Sequence, residues 1–347
     1  MSQYYDGTKL LSLSDIDGLK PEIYMVMGNR TAGKTYYFKR MILRRFIKTG
    51  KKFLCLVRFT YELDGFADNF FKDLEEIHFT GHKMEQKPIG KNLFVELYFD
   101  GVPCGYVVAL NTADTIKKYS SRFVDVDCMF MDEFQSEIGK YCPDEITKFQ
   151  SIHTSVARGG GKQSRYVPVY MASNNASIIN PYFAAFDIAT RLSKNTKFLR
   201  GNGWVLEVTY NQNASKAMKE SGFGRAFKNS SYMDYATNNK SLLDTDAFIC
   251  KMKGDCSPYA TVYSDGKEFG LWSYDHDGIL YVSHKTDPNE VVRITFKTED
   301  HNVNYIMLQT ADKTIKKLKK LFEHGAVRFA DMECKNMFVE MIGYSII

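Results

Sequence analysis

The segment that most restricts how this 347-residue chain can fold is Gly28–Thr35, which reads GNRTAGKT. It matches the phosphate-loop (P-loop) pattern G-x-x-x-x-G-K-S/T at every fixed position. Glycines let backbone N–H groups converge on phosphate oxygens, Lys34 reaches the β- and γ-phosphates, and the Thr35 hydroxyl binds Mg²⁺. We therefore expect ATP and Mg²⁺ to bind against the whole loop: Gly28, Asn29, Arg30, Thr31, Ala32, Gly33, Lys34 and Thr35.

The sequence around the P-loop predicts an α/β fold. Residues 23–27 form a continuous apolar run, which is typical of a buried parallel strand. A helical pattern runs from Thr35 to about Thr49 and ends at Gly50, a residue suited to a helix C-cap. Strands that alternate with helices indicate a parallel sheet covered by helices. Further strands are expected at residues 52–58, 93–99, 106–110, 126–131 and 166–172, with a helix at 143–156.

A second motif supplies carboxylates for catalysis. Residues 128–133 read CMFMDE, an apolar strand that ends in two acids, as in a Walker B motif. Asp132 would hold Mg²⁺ through water, and Glu133 would orient and deprotonate the attacking water. After the strand at 166–172, Asn174 is a candidate for sensing the γ-phosphate. A solvated strand end and an ordinary turn residue are the alternatives for these two motifs.

Basic residues outside the P-loop predict further contacts. Arg158, in the glycine-rich segment ARGGGK, is a candidate arginine finger for the nucleotide of a neighbouring subunit, and Arg30 competes for that role within its own subunit. Arg58, at the end of the second strand, could contact nucleotide or DNA. A cluster close to the ATP site is expected to bind nucleic acid, with plain surface charge as the alternative: Lys117, Lys118 and Arg122.

The second half of the chain predicts a separate domain. Small and polar residues dominate from about 211 to 239, and strand patterns then return at 248–252, 259–264, 269–274 and 279–283. Asp-Gly pairs at 265–266 and 277–278 indicate hairpin turns and therefore an antiparallel meander, followed by helices at about 310–323 and 331–341. We expect an ATPase domain at 1–198, a linker or lid at 199–240, and a C-terminal α+β domain at 241–347.

The first of these C-terminal helices is strongly basic. Its apolar residues, Ile315, Leu318, Leu321 and Phe322, fall on one helical stripe. The lysines between them are either a solvated face or a docking face for the phosphate backbone of DNA or a structural RNA. The candidates for nucleic-acid contact are Lys316, Lys319 and Lys320, beside Lys313 and Lys317.

Composition excludes several other classes of protein. The 46 Lys and Arg nearly balance 41 Asp and Glu, which argues against a histone-like polycation. Seven cysteines without a C-x-x-C pair disfavour a disulfide framework or a zinc ribbon, and a reducing cytosol fits best. No signal peptide and no apolar stretch of about 20 residues is recognisable, so no membrane association is expected.

Several segments together resemble the encapsidation ATPases of small podophages of the Picovirinae type. They are GNRTAGKT, VRFTYELD, MFMDEF, ARGGGK, MASNNASIINPYF and the later run VYSDGKEFGLWSYDHDGILYVSHKTDP. The resemblance implies an ATPase of the additional-strand, catalytic-glutamate class. It also implies a ring, by resemblance a pentamer, that pumps double-stranded DNA into a prohead. Such a ring would act in the host cytoplasm, transiently on the portal (connector) vertex, and would be absent from the mature virion.

The resemblance also assigns residues and a second fold. Lys34 and Thr35 match its P-loop pair, Asp132 and Glu133 its Walker B pair, and Arg158 its trans-acting finger, with Arg165 as the alternative. The C-terminal domain would have a vestigial RNase H-like nuclease fold. Because Asp265 and Asp277 occupy turns, convergent carboxylates for a two-metal nuclease are not expected.

Two other functions remain open from the sequence. One is a terminase with an active C-terminal nuclease, and the other is an adaptor whose binding of nucleic acid is gated by nucleotide. Glu133 disfavours the adaptor, because a switch needs no activated water.

Overall fold

The computed structural model describes residues 4–343 except 160–162, 179, 189–190, 193–195, 239–247, 253, 255, 265, 275–277, 299 and 310–311. Within this range it describes the backbone alone for 67–68, 73, 75–77 and 231. The chain divides into two compact units, Met1–Asp244 and Thr245–Ile347. No described helix is both long enough and apolar enough to cross a bilayer.

The first unit contains strands and helices in alternation. Its strands are β1 (Ile23–Gly28), β2 (Lys52–Val57), β3 (Met84–Ile89), β4 (Phe94–Phe99), β5 (Val102–Ala109), β6 (Val126–Asp132), β7 (Val169–Asn174), β8 (Phe198–Gly201) and β9 (Trp204–Thr209). Its helices are α1 (Thr8–Leu11), α2 (Lys34–Thr49), α3 (Leu63–His78), α4 (Ala113–Ile116), α5 (Glu145–Val156), α6 (Pro181–Ala185), α7 (Gln212–Glu220), α8 (Gly222–Ala226) and α9 (Ser231–Asn238). Short 3-10 helices cover Thr60–Glu62, Leu110–Thr112 and Lys117–Phe123.

All the strands of the first unit form one sheet in the order β3-β4-β5-β2-β6-β7-β1-β9-β8. The six strands from β5 to β9 in this order are parallel, while β3, β4 and β8 pair antiparallel at the edges. Strand β7 lies between the P-loop strand β1 and the Walker B strand β6, which is the arrangement of the additional-strand class. The predicted α/β fold with a parallel sheet is therefore confirmed.

Both faces of this sheet are buried, which explains why its strands read as continuous apolar runs. Successive side chains of a strand point to opposite faces. In β6, Phe130 packs 6.1 Å from the ring of Phe38 in α2, while Met129 and Met131 belong to the apolar layer on the other face. Helix α2 ends at Gly50, whose φ of +69° is a left-handed C-cap, as predicted. Because β6, β7 and β1 are adjacent and parallel, their carboxyl ends lie side by side at one end of the sheet.

Some elements of this unit differ from those predicted. Helix α3 and strand β3 were not predicted, and β5 begins several residues earlier than expected. The expected domain boundary after residue 198 is also wrong, because β8 and β9 form a hairpin that extends the main sheet. Val205 and Leu206 of β9 are fully buried in that sheet. The polar segment begins only after Thr209.

The described part of the second unit has an α+β fold, with one sheet and two helices. Its strands are β10 (Ser257–Ser264), β11 (Lys267–Tyr274), β12 (Ile279–Ser283), β13 (Arg293–Thr295), β14 (Ile306–Met307) and β15 (Val327–Phe329), and its helices are α10 (Lys313–Glu323) and α11 (Met332–Met341). The sheet order is β14-β13-β10-β11-β12-β15. Strands β10, β11 and β12 are three strands of the predicted antiparallel meander. The strand expected at 248–252 is wrong, because Ile249 makes only an isolated parallel bridge to Phe329. Gly266 and Gly278 take positive φ at its turns, whereas Asp265 and Asp277 lie outside the described residues.

Candidate nucleotide-binding site

The P-loop connects the end of β1 to the start of α2 with the geometry that its sequence predicts. Thr31 and Gly33 have φ of +58° and +91°, so the backbone curls between strand and helix. Only glycine fits at position 28, because a Cβ there would lie 2.3 Å from the backbone oxygen of Thr209. The loop therefore places the N-terminus of α2 where a phosphate can bind.

Lys34 is buried at the centre of this loop. Its Nζ donates hydrogen bonds to the backbone oxygens of Asn29 at 2.8 Å and Gly28 at 3.2 Å, and to Oδ1 of Asn174 at 3.2 Å. Burial lowers the pKa of Lys34 to about 8, although the charge of Asp132 acts in the other direction. A bound polyphosphate would favour the charged form, which is the form that nucleotide binding requires.

Thr35 and Asp132 offer a pair of oxygen ligands. The hydroxyl of Thr35 donates to Oδ1 of Asp132 at 2.9 Å, although the two residues come from different elements. Burial raises the pKa of Asp132, and nearby Lys39 opposes this effect. A hydroxyl and a carboxylate are the hard donors that Mg²⁺ prefers, and a cation between them would hold Asp132 ionised. The donor set thus fits the predicted ion.

Glu133 occupies a strained turn directly after β6. Its φ is +52°, which is uncommon for a residue with a side chain, and its N–H donates to Oδ1 of Asp132 at 3.1 Å. The side chain is exposed. Loss of part of its surrounding water raises the pKa of Glu133, and the charges of Asp132 and Glu137 raise it further. This turn therefore places an exposed carboxylate directly after Asp132 at the carboxyl end of β6.

Arg58 stabilises this turn from the interior of the protein. It is only 8% exposed, and its NH1 donates to the backbone oxygen of Glu133 at 2.7 Å. Its Nε pairs with Oε1 of the fully buried Glu145 at 3.1 Å, and that oxygen also accepts from the hydroxyl of Tyr182 at 2.9 Å. The expectation that Arg58 contacts nucleotide or DNA is therefore wrong, because its guanidinium is committed to this interior network.

Asn174 ends β7 and lies where the sequence analysis expected a γ-phosphate sensor. Its Oδ1 accepts from Lys34, and its Nδ2 donates to Oε1 of Glu137 at 2.9 Å. The structure thus brings together five residues predicted for the site, from three neighbouring strand ends. They are Lys34, Thr35, Asp132, Glu133 and Asn174.

Glu137, which was not predicted as a site residue, bridges the P-loop, β7 and α9. Its Oε2 accepts from NH1 of Arg30 at 3.1 Å, and its Oε1 accepts from the hydroxyl of Tyr235. Arg30 also donates to the hydroxyl of Tyr232. The only sequence signal was the proximity of Glu137 to the Walker B acids. Its partners are far away along the chain, so no local pattern could have revealed them.

Arg158 and Arg165 lie near the amino end of β6, away from the nucleotide site at its carboxyl end. Arg165 NH1 donates to the backbone oxygen of Val126, the first residue of β6, at 3.0 Å, and its N–H donates to the oxygen of Ala157 at 2.9 Å. Arg158 is exposed next to this contact, while residues 160–162 lie outside the described part of the chain. Of the three candidate fingers, only Arg30 lies near the P-loop of its own subunit.

The first basic cluster is not next to the nucleotide site. Lys117, Lys118 and Arg122 belong to the 3-10 helix that leads to the amino end of β6, whereas Asp132 is at its carboxyl end. Lys117 pairs with Asp114 at 2.9 Å. Because β6 separates the two ends by about 20 Å at about 3.3 Å per residue, the expectation of a cluster close to the ATP site is wrong.

The lysine helix of the second unit has the predicted amphipathic pattern. Ile315 and Leu318 are buried, and Leu321 and Phe322 are partly buried. Lys316 and Lys320 are exposed, and Lys319 is half-buried. Nucleic-acid binding by these lysines stays a prediction.

Among the described residues of the second unit, one group of metal-ligating side chains joins His284, Asp331 and Cys334. Glu333 also lies 3.8 Å from Nε2 of His284, but it pairs with Lys267 at 2.7 Å. Asp331 caps α11 by accepting from the N–H of Cys334 at 2.9 Å, and it also pairs with His284 at 2.8 Å. A structural role accounts for this cluster.

Comparison with known proteins agrees with this fold and site. The family model "Podovirus DNA encapsidation protein (Gp16)" matches residues 1–346. The chain belongs to that family. The resemblance inferred from the sequence motifs is thereby confirmed.

Individual relatives extend the match over nearly the whole chain. The DNA packaging proteins of Bacillus phages phi29 and PZA are each 26% identical over 344 residues, which covers 98% of this chain and 97% of theirs. Among solved structures, a chain of "The bacteriophage Phi-29 viral genome packaging motor assembly" is 24% identical with a TM-score of 0.62 over all of both chains. A chain of "The Phi-28 gp11 DNA packaging Motor" is 17% identical with a TM-score of 0.61 over 99% of both chains. The fold of this chain is similar to theirs.

Proposed function

We propose that this chain is an ATPase that uses ATP hydrolysis to move double-stranded viral DNA into a preformed prohead. The observation that carries the proposal is the convergence of Lys34, Thr35, Asp132, Glu133 and Asn174 at one sheet edge, in a member of a DNA encapsidation family. A protein that only switches on nucleotide binding would need the first three of these residues but no general base.

Each residue of the site has a distinct role in this proposal. Lys34 and the P-loop backbone bind the β- and γ-phosphates, and Thr35 and Asp132 hold Mg²⁺, which supplies charge stabilisation when bound. Glu133 accepts a proton from the attacking water. Its raised pKa brings it closer to the operating pH, which favours a base that must accept a proton during the reaction. Asn174 orients the water and the γ-phosphate.

We assign Arg158 to the neighbouring subunit's nucleotide. Arg158 follows α5 near the amino end of β6, about 20 Å along the sheet from Glu133 at about 3.3 Å per residue. That separation exceeds the reach of an arginine side chain, so a catalytic Arg158 would have to act in trans. The proposed assembly is therefore a ring, by family resemblance a pentamer.

The remaining partners follow from the family and from surface charge. The ring would act in the host cytoplasm, dock transiently on the portal of the prohead, and be absent from the mature virion. The exposed lysines of α10 suit a sequence-independent contact with phosphates of DNA or of a structural packaging RNA.

The test is the rate of ATP hydrolysis, with and without double-stranded DNA, for the wild type and for Glu133→Gln. We expect DNA to stimulate the wild type, and Glu133→Gln to bind ATP but lose turnover by about 100-fold or more. The matched control is Glu220→Gln, since Glu220 is an exposed glutamate on α7. Wild-type turnover in Glu133→Gln would refute the assignment of the base. A rate of ATP hydrolysis that is the same with and without DNA would favour the nucleotide-gated adaptor.

The trans assignment has its own test. Rings mixed from Arg158→Ala and Glu133→Gln subunits contain some interfaces with an intact base and an intact finger. We expect such rings to recover part of the ATPase activity that each variant lacks alone. Absence of recovery in rings shown to co-assemble would favour Arg30 acting in cis.

A further inference from the structure

Among the described residues, Glu137 is the one carboxylate that contacts the P-loop, α9 and Asn174 at the end of β7. Oε1 accepts from Asn174 at 2.9 Å and from Tyr235, while Oε2 pairs with Arg30 at 3.1 Å. The side chain of Glu137 is 23% exposed and that of Arg30 33%, so the pair is partly shielded from water. None of the roles assigned to the site above accounts for this arrangement.

The helices α7–α9, residues 212–238, which we call the lid segment, are attached to the P-loop at both ends. At the first end, Asn29 Nδ2 donates to the backbone oxygen of Asn211 at 3.1 Å, and the N–H of Asn211 donates to Oδ1 of Asn29 at 2.8 Å. At the other end, Tyr232 and Tyr235 of α9 reach Arg30 and Glu137. The second attachment depends on charge and the first does not.

A γ-phosphate would change the second attachment alone. It adds negative charge beside Lys34, whose Nζ already contacts Asn174. Arg30 lies on the same loop and would gain a doubly charged partner with several acceptor oxygens, which competes with the single carboxylate of Glu137. When Arg30 turns to the phosphate, Glu137 and Tyr232 lose their cation. The neutral amide pair between Asn29 and Asn211 has no such competitor.

We propose that Glu137 is a positioning residue that holds Asn174 and Arg30 in place and makes the attachment of α9 depend on the γ-phosphate. Glu137 orients the sensor amide through Oε1 and restrains Arg30 through Oε2. Because Glu137 also bonds Tyr235, the loss of its ion pair with Arg30 affects the lid segment. This inference rests on the proposed ATPase site and adds to it a residue that couples nucleotide state to a neighbouring structural element.

The first readout is hydrogen–deuterium exchange of the backbone amides of α9, measured by mass spectrometry on the full-length protein. In the wild type we expect α9 to exchange slowly without nucleotide or with ADP, and about tenfold faster with a non-hydrolysable ATP analogue, because one charge-assisted contact is lost. In Glu137→Ala the exchange without nucleotide should be faster than in the wild type and should change less with the analogue, because the bond between Arg30 and Tyr232 is what remains of this attachment. The control Glu220→Gln should behave as the wild type.

The second readout separates positioning from folding. Tyr235→Phe removes the hydroxyl that donates to Glu137 and also contacts the Asn174 side chain, while Glu137 keeps its bonds to Asn174 and Arg30. We expect α9 of this variant to exchange faster than in the wild type without nucleotide and to keep only the nucleotide dependence that the bond between Arg30 and Tyr232 supplies, while kcat stays within about twofold of the wild type. Glu137→Ala should lower kcat about tenfold with little change in KM, because a misplaced sensor affects turnover more than binding. Glu137→Gln keeps an acceptor oxygen and should be intermediate.

The outcomes distinguish this inference from the proposed function. Wild-type kcat and wild-type dependence of α9 exchange on the analogue in Glu137→Ala would overturn it. Exchange of α9 that does not change with nucleotide in the wild type would overturn it as well. The exchange measurement needs no turnover, so its result stands even if Glu133→Gln shows that the assigned base is wrong.

Discussion

The buried ion pair between Arg58 and Glu145 predicts a specific loss of stability when only one partner is removed. The side chain of Arg58 is 9% exposed and that of Glu145 is fully buried. Removing one partner of such a pair typically lowers the free energy of unfolding by about 3–5 kcal/mol, because the other charge stays buried without compensation. Glu145 would keep bonds of 2.9 Å from the Tyr182 hydroxyl and the Cys142 N–H. We therefore expect Arg58→Met to lie at the lower end, about 3 kcal/mol.

The two tryptophans of the chain make this measurable for the first unit alone. Trp204 is buried in β9 of the first unit, and Trp272 belongs to the second. In a Trp272→Phe background, fluorescence during urea unfolding reports on the first unit. The matched control is Arg45→Met, since the Arg45 side chain is 44% exposed in its pair with Asp127. That exposed pair should contribute less than about 1 kcal/mol.

A second measurement connects this pair to catalysis. Arg58→Met also removes the bond to the backbone oxygen of Glu133, so the strained turn loses its support. We expect kcat for ATP hydrolysis to fall at a temperature where the variant remains folded, with KM little changed. A stability loss no larger than that of Arg45→Met, or an unchanged kcat, would refute this account of Arg58.

Three further predictions concern the P-loop and the basic surfaces. Because the pKa of Lys34 is about 8 without phosphate and higher with it, ATP affinity should be constant below that pH and fall above it. Calorimetry across this pH range measures the fall, and an affinity that does not change above the pKa would contradict the prediction. Gly28→Ala should lower the free energy of unfolding by about 1–3 kcal/mol through its clash with Thr209, whereas Gly65→Ala, where a Cβ meets nothing within 4 Å, should not destabilise the protein. Charge reversal at Lys316, Lys319 and Lys320 should weaken prohead binding, measured by co-sedimentation, and reversal at Lys117 and Lys118 should weaken the stimulation of ATP hydrolysis by DNA, measured as phosphate release. Both effects should depend on salt, and wild-type behaviour of both variants would leave the lysines as plain surface charge.

The parts of the site that the sequence predicted are those whose spacing is local. The P-loop, the Walker B acids and Asn174 each follow an apolar strand, and parallel strands bring their carboxyl ends to one edge. Arg58 and Glu137 were missed or misread because their partners, such as Glu145 and Tyr235, are distant in the chain. Their roles depend on the order β2-β6-β7-β1 in the sheet, and no single strand pattern contains that order.

Errors in the fold have similar causes. Helix α3 was not predicted; Gly65 near its start weakens its helical pattern, although Phe70 and Leu74 are fully buried against the sheet. The hairpin of β8 and β9 was assigned to a linker because the polar residues just beyond it dominated the reading. Packing against β1 determines its place, and packing is invisible to a local count of polar residues.

The proposed ring requires an asymmetric association, because Glu133 lies at the carboxyl ends of the strands and Arg158 lies near their amino ends. Each subunit would offer a base on one surface and a finger on a different one, so the contact is head-to-tail and an isolated dimer completes only one of its two sites. Closure of the ring is then what completes every site. A single damaged subunit can consequently silence two adjacent sites, one through its own base and one through the finger that it lends to its neighbour.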